Sequence, residues 1–411
     1  MFLLLGCTGG SIPLAPLEDD TATVTDPRFG NGADGALSVD GTVSLDGWTS
    51  EGRSSPDIVS YRVTAITGDV LEIDDAPSGL AAGDELLLID LQGTPTTPNR
   101  LGAYAFVTLE TVTGSLTLTE AVSGFADPAF HVIVAQRVPH YTDVTLAPGA
   151  TLTIDDWSGQ GGGLLALRAS GAVTLGAGAS IDVSARGYRG GDTGQGYNYD
   201  GFQGESWSGE GNGGSSDYGY NQNNDAWMAN DGGGGALVTG GGGEHAGGAT
   251  PGEAWYESAS PPSAGETYGD AELAALFFGS GGGGVWNDGT SNAGPGGDGG
   301  GIVYLSAAEL TGEGTVRATG ETATSWSQGN WTYGAGGGAG GTIWLSVGSL
   351  SLAAGSLDAM GGPGETSHER LGGDGGYGRV RVDCDSFDGT PCTLDTLVGL
   401  SIPEVGAVGL P

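Results

Sequence analysis

Gly163-Leu164-Leu165-Ala166-Leu167-Arg168-Ala169, Gly301-Ile302-Val303-Tyr304-Leu305-Ser306-Ala307 and Gly341-Thr342-Ile343-Trp344-Leu345-Ser346-Val347 repeat one pattern, a glycine followed by a compact apolar run. Each run leads to two further short ones. Val173-Thr174-Leu175 and Ser180-Ile181-Asp182-Val183 follow the first; Leu310 and Thr315-Val316-Arg317-Ala318 follow the second; Leu350-Ser351-Leu352 and Ser356-Leu357-Asp358-Ala359 follow the third. Such a unit reads as short strands turned by Gly, Ala or Ser, with apolar side chains alternating inward. That is what a rung of a parallel β-helix or stacked β-solenoid requires. Val144-Thr145-Leu146 with Thr151-Leu152-Thr153-Ile154 reads as an earlier rung, and Gly378-Arg379-Val380-Arg381-Val382 as a closing one.

Upstream the pattern changes. Tyr61–Ile66 and Val70–Ile73 flank Thr67-Gly68-Asp69, a hairpin pattern. Phe106–Glu110 and Leu116–Thr119 repeat it across Thr113-Gly114-Ser115, while Leu86–Leu91 is an apolar run of buried-strand length. The expected fold is therefore all-β: a small barrel or sandwich over 56–140, followed by a β-helix- or solenoid-like domain over 141–382. Residues 1–7 form a leader, 8–55 a tether with the first strands, and 383–411 a C-terminal tail.

Within the solenoid lies a long insertion, 188–300, which carries glycine runs at 232–235, 240–243 and 281–284. Glycine supplies 85 of 411 residues. No Gly-X-Y period makes this collagen, and a 37% hydrophobic share is too much for a disordered chain. Polyglycine without regular proline packs instead as bundled polyproline-II-like segments, whose backbones approach closely because no side chains intervene. Asp270–Phe278 is the best short-helix candidate, with Leu273, Leu276 and Phe277 on one face.

The formal charge is −38, from 50 acidic and 12 basic residues, and every basic residue is arginine. Such a chain is a poor partner for nucleic acid or an anionic membrane surface. Lacking lysine, it has neither Schiff-base chemistry nor a P-loop. Cys384 and Cys392 flank an Asp388-Gly389 turn and are expected to form a disulfide on export. Cys7, in Leu4-Leu5-Gly6-Cys7, resembles a bacterial lipobox; the short leader without basic residues fits a start codon placed too late. A lipid anchor at Cys7 in the outer membrane is the expectation.

Gly83-Asp84-Glu85-Leu86-Leu87-Leu88-Ile89-Asp90-Leu91-Gln92-Gly93, Arg137–Val144, Ile181–Gly191, Gly240–Gly248 and Leu276–Gly284, in this order, resemble a group of large glycine-rich bacterial surface proteins. The resemblance covers roughly 60–382. Myxobacterial members are labelled adventurous gliding motility proteins and others adhesin-like. The resemblance implies an exported, extracytoplasmic protein of the outer membrane or cell surface and no particular activity.

Candidate chemistry is sparse. The adjacent carboxylates Asp19-Asp20, Asp74-Asp75 and Asp155-Asp156 point to opposite faces in a strand or sit in turns, which disfavours the two-carboxylate geometry of a glycosidase. Asp225, Asp231 and Asp298 lie in Asp/Gly-rich loops that could hold calcium, although no EF-hand or HExxH motif is present. Glu244-His245, embedded in glycine, is the most suggestive histidine site, with a structural hydrogen bond as its simplest role. Tyr197, Tyr199, Trp207, Tyr218, Tyr220 and Trp227 alternate with Asn, Gln and Gly, a composition suited to stacking on sugar rings or to covering a glycine bundle. The expectation is a non-catalytic surface structural protein or adhesin contacting glycans or envelope proteins. The alternatives are a polysaccharide lyase or glycosidase on a β-helix, and a carbohydrate-binding module.

Overall fold

A computed structural model of the chain describes residues 26–94, 100–195, 201–209, 233, 239, 241–253, 262–270, 272–287, 294–328, 331–365 and 371–392. The fold is all-β, with a closed six-stranded barrel and two stacks of parallel strands. Among the described residues no helix is long and apolar enough to cross a membrane.

The parallel stacks form six rungs. The first is Leu37–Val39 with Thr42–Ser44, the second Val144–Leu146 with Thr151–Thr153, and the third Leu164–Leu175 with Ser180–Asp182. The fourth is Ile302–Gly312 with Thr315–Arg317, the fifth Thr342–Leu352 with Leu357–Asp358, and the sixth Arg379–Phe387. Register follows the sequence repeat: Leu167, Leu305, Leu345 and Val382 are in line, as are Ile181, Val316 and Leu357. These aligned residues face one another across the two stacks in a continuous buried core. A one-residue slip would turn every one of them outward, which fixes the register.

After rungs three to five, where a third side is needed, the chain runs as extended glycine-rich segments rather than a sheet. Segment 279–284 shows how they pack. Gly279 and Gly282 donate to the carbonyls of Gly300 and Gly297; Gly281 and Gly284 donate to Glu205 and Phe202; Gly283 donates to Gly241. Its carbonyls accept from Tyr188 and Gly191, from Ala339 and Gly336, and from Gly233. One backbone thus bonds six neighbouring segments, and bonds to the same neighbour recur every third residue. A β-strand bonds two neighbours; a threefold extended helix can bond all round. The bundle includes segments between later rungs, such as 335–341 and 372–378, as well as described parts of the long insertion, such as 187–191, 202–205 and 279–284.

The barrel comprises Ser60–Thr67, Val70–Ile73, Glu85–Gln92, Tyr104–Val112, Leu116–Leu118 and Val132–Val138. Both expected hairpins are present. Because the first rung precedes it, the barrel is inserted into the solenoid between rungs one and two. Glu85–Gln92 is buried on both faces. Leu86 and Leu88 fill the barrel, while Leu87, Ile89 and Leu91 pack on Trp157, Tyr188, Phe278 and Tyr304 outside it. That is why this strand reads as an apolar run interrupted only by the buried Asp90.

The helix expected over 270–278 is not formed. Residues 273–278 are extended or turned, with Leu273 at φ 51°. Leu276 and Phe278 enter one apolar cluster while Phe277 enters another with Leu101 and Tyr268. The period is two rather than 3.6, because the segment is already straightening into the glycine bundle at Gly279.

Cys384 is buried at the inner edge of the sixth rung, with Cys392 packed against the same core. Their Cα atoms are 5.7 Å apart, which suits a disulfide.

Candidate functional site

Of the residues singled out from sequence, Cys7, Tyr197, Tyr199, Tyr218, Tyr220, Trp227, Asp225 and Asp231 lie outside the described residues. Trp207 is partly buried between the barrel-facing cluster and the Leu101–Tyr268–Phe277 cluster, so its ring serves as packing. Asp298 accepts a hydrogen bond from the Gly190 amide at 2.6 Å, beside Glu321. Among the described residues no group of three or more His, Cys, Asp or Glu side chains is gathered as a metal would need.

The Glu244-His245 pair is a structural knot. Glu244 accepts from the amides of His245, Gly247 and Ala249 at 2.8, 2.6 and 3.0 Å. His245 is fully buried, bonds the Gly340 carbonyl through Nδ1 at 3.0 Å and stacks on Tyr268. Burial, together with the nearby Arg379 cation, pushes its pKa down to about 3, so it is neutral at any ordinary pH.

Sequence reasoning did not reveal where the arginines go. Arg168, on the outer face of rung three, forks onto Glu85 of the barrel at 2.5 and 3.0 Å and reaches the Tyr304 hydroxyl and the Arg28 carbonyl. Its guanidinium lies 4.8 Å from the Phe106 ring centroid. Burial favours the neutral form of Glu85, but hydrogen bonds from His140 and Arg168 outweigh it and hold the carboxyl below its usual range. Arg137 similarly joins Asp34 and Asp84, and Asp57 accepts from Ser50 and Tyr141. Bidentate, always-charged guanidinium suits such joints better than lysine. The all-arginine composition was the available signal.

A cavity of about 500 Å³ opens at the barrel, lined among others by Thr64, Ile66, Val122, Phe125, Asp127 and Pro128. Its origin is a gap in pairing. Ser60–Thr67 pairs with Val132–Val138 only from Ser60 to Val63, while its other edge, after a register shift between Val63 and Ala65, stays paired with Val70–Ile73 as far as Thr67. Residues 122–128 stand across the open edge. Asp127 accepts the Ala129 amide at 3.0 Å, and Phe130 nearby in sequence is 59% exposed, the most exposed large apolar side chain among the described residues. Small-molecule sites occupy about 300–1,000 Å³.

Two buried carboxyls make stability pH-dependent. Asp90 is buried beside His131, 2.9 Å away, and burial pushes its pKa up to about 6 against that hydrogen bond. Burial likewise raises Asp298 to about 6, with Glu321 and Glu205 adding repulsion. Both lie above the unfolded value of 3.8. Folding therefore takes up protons, and the cost of burying these charges is relieved as pH falls through 6. Stability is expected to rise by about 1–3 kcal/mol from pH 7.5 to about pH 5. Below that, protonation of the Glu85 joint works the other way. Urea melts across this range check it; a flat or falling profile towards pH 5 contradicts it.

No protein-family sequence model matches the chain, and no curated protein matches it. Among solved structures it is similar to the Gp54 tailspike of Acinetobacter baumannii bacteriophage AP22, determined in complex with A. baumannii capsular saccharide. Identity is 9%, the TM-score is 0.18, and the match covers 87% of this chain and 62% of the tailspike chain. The chain thus spans less than two thirds of that structure, and a likeness this slight carries no argument.

Proposed function

We propose that the chain is a non-catalytic structural or adhesive protein of a bacterial cell surface, lipid-anchored through Cys7, in which a rigid frame presents the inserted barrel. The packing of segment 279–284 against six neighbours carries this reading. A core made of interlocked backbone resists deformation, and its joints to the barrel use buried ion pairs instead of leaving those side chains free. The disulfide-capable pair at the closing rung supports an oxidising compartment. The carboxylates Asp74, Asp75, Asp155 and Asp156 are each engaged within the fold: Asp156 pairs with Arg186, Asp75 caps Ala76, Asp74 accepts from the Arg62 amide, and Asp155 accepts from the Ser44 hydroxyl. This supports the non-catalytic reading over the lyase or glycosidase.

Protease treatment of intact cells expressing the chain tests the placement. Digestion from outside, with release into the medium on Cys7→Ala, is the expected result. Protection in intact cells removes the adhesin reading, and release of oligosaccharides from envelope polysaccharide by the purified chain removes the non-catalytic one.

A further inference from the structure

The barrel cavity combines features that point to one class of ligand. It has room for a sugar ring or two, an aromatic side chain in its wall (Phe125) and an exposed one close by in sequence (Phe130). Aromatic faces stack on the apolar faces of sugars while hydroxyl and carboxylate groups take their edges. Thr64, Ser123 and Asp127 supply such groups.

An independent observation narrows the class. Most arginines of this acidic protein are tied to carboxylates across joints. Arg100 is exposed, and among the described residues no carboxylate lies within ion-pair distance of it. Its Nη1 stands 3.7 Å from where a side-chain carbon on Gly124 would sit, at the cavity rim. A guanidinium kept out of internal pairing and set beside a polar cavity is a ready partner for a carboxylate, through paired charge-assisted hydrogen bonds. The protein's net negative charge does not forbid this, because fields from distant surface charges are screened within about 10 Å at ordinary ionic strength.

We propose that this cavity is a saccharide site selective for a carboxylate-bearing sugar, with Arg100 holding the carboxylate and Phe125 lying against the ring. The proposal deepens the surface-adhesin reading and rests on it for its biological setting. A matched pair of probes isolates the carboxylate: methyl glucuronide and methyl glucoside, titrated into the full chain by NMR. The glucuronide is expected to bind at least about tenfold more tightly. Arg100→Gln should remove that preference, and Ser123→Trp, which fills the cavity from an exposed wall position, should abolish binding of both. Equal affinities that ignore Arg100→Gln overturn the carboxylate assignment. Binding indifferent to Ser123→Trp overturns the cavity assignment. If neither probe binds while the same chain is digested from outside on cells, the saccharide site is overturned and the surface reading stands.

Discussion

Gly282→Ala should leave the chain without a cooperative native state at room temperature. Gly282 is not in a left-handed conformation, so alanine suffers no dihedral penalty there. The obstacle is space: a β-carbon would overlap the Gly336 carbonyl. That carbonyl belongs to a backbone segment whose own amide donates to Gly283, so it cannot retreat without breaking a bond to the same neighbour. Relieving the overlap means separating segment 279–284 from one of its six neighbours, and every third residue along that contact then loses its partner. Buried unsatisfied backbone groups cost about 1–3 kcal/mol each, and breaking the Gly336–Gly283 and Ala339–Ser280 bonds orphans four of them, so the loss reaches about 4 kcal/mol or more, at the far end of single-substitution effects. Gly114→Ala is the control: it sits in a barrel turn with nothing within 4 Å of the added carbon, and its effect should stay within about 1 kcal/mol of zero. Chemical unfolding followed by circular dichroism separates the two. If Gly282→Ala melts close to the wild type, direct backbone contact is not what holds the bundle together.

The same packing explains which parts of the fold were legible in the sequence. Rungs three to six were readable because Leu167, Leu305, Leu345 and Val382 share a position in the repeat and face one core. The polyglycine runs also announced their packing, since only side-chain-free backbone can bond in six directions. The insertion of the barrel was not readable. The first rung consists of Leu37-Ser38-Val39 and Thr42-Val43-Ser44, and three-residue strands carry too little periodicity to be told from a tether. Asp270–Phe278 misled because three apolar residues at helical spacing, Leu273, Leu276 and Phe277, also suit an extended chain passing between two clusters. At the candidate sites the limit was of another kind. Arg168 and Glu85 are 83 residues apart in sequence, and the barrel cavity is defined by pairing that stops at Val63. Neither leaves a local pattern.

Charge composition was likewise readable only in sum. The excess of acid excluded partners, yet it gave no hint that several carboxylates would be buried between parts of the fold. Glu205 is the clearest of these and gives the second large expectation: Glu205→Gln should destabilise the chain by about 2–4 kcal/mol. The side chain is 3% exposed and joins three regions. Its Oε1 accepts from Gln92 of the barrel at 2.8 Å and from the Trp157 indole beside rung three at 3.2 Å; its Oε2 accepts from the Arg189 amide and Nε at 3.0 and 2.8 Å in the glycine bundle. Every partner is a donor. Glutamine keeps the shape but turns one acceptor into a donor, so one side of the joint meets donor against donor whichever way the amide is flipped. The charge opposing Arg189 is lost as well, though Arg189 is 43% exposed and water absorbs part of that loss. Asp156→Asn is the comparison. It removes the carboxylate facing Arg186 at an exposed pair, and should change stability by under about 1 kcal/mol. Because Glu205 binds three regions, its loss should also split one unfolding transition into two. The barrel amides of Glu85–Gln92 would then exchange hydrogen before those of rungs three to five. A single transition with Glu205→Gln no weaker than Asp156→Asn would mean that apolar packing of Leu87, Leu91, Tyr188 and Phe278 holds the barrel to the frame unaided.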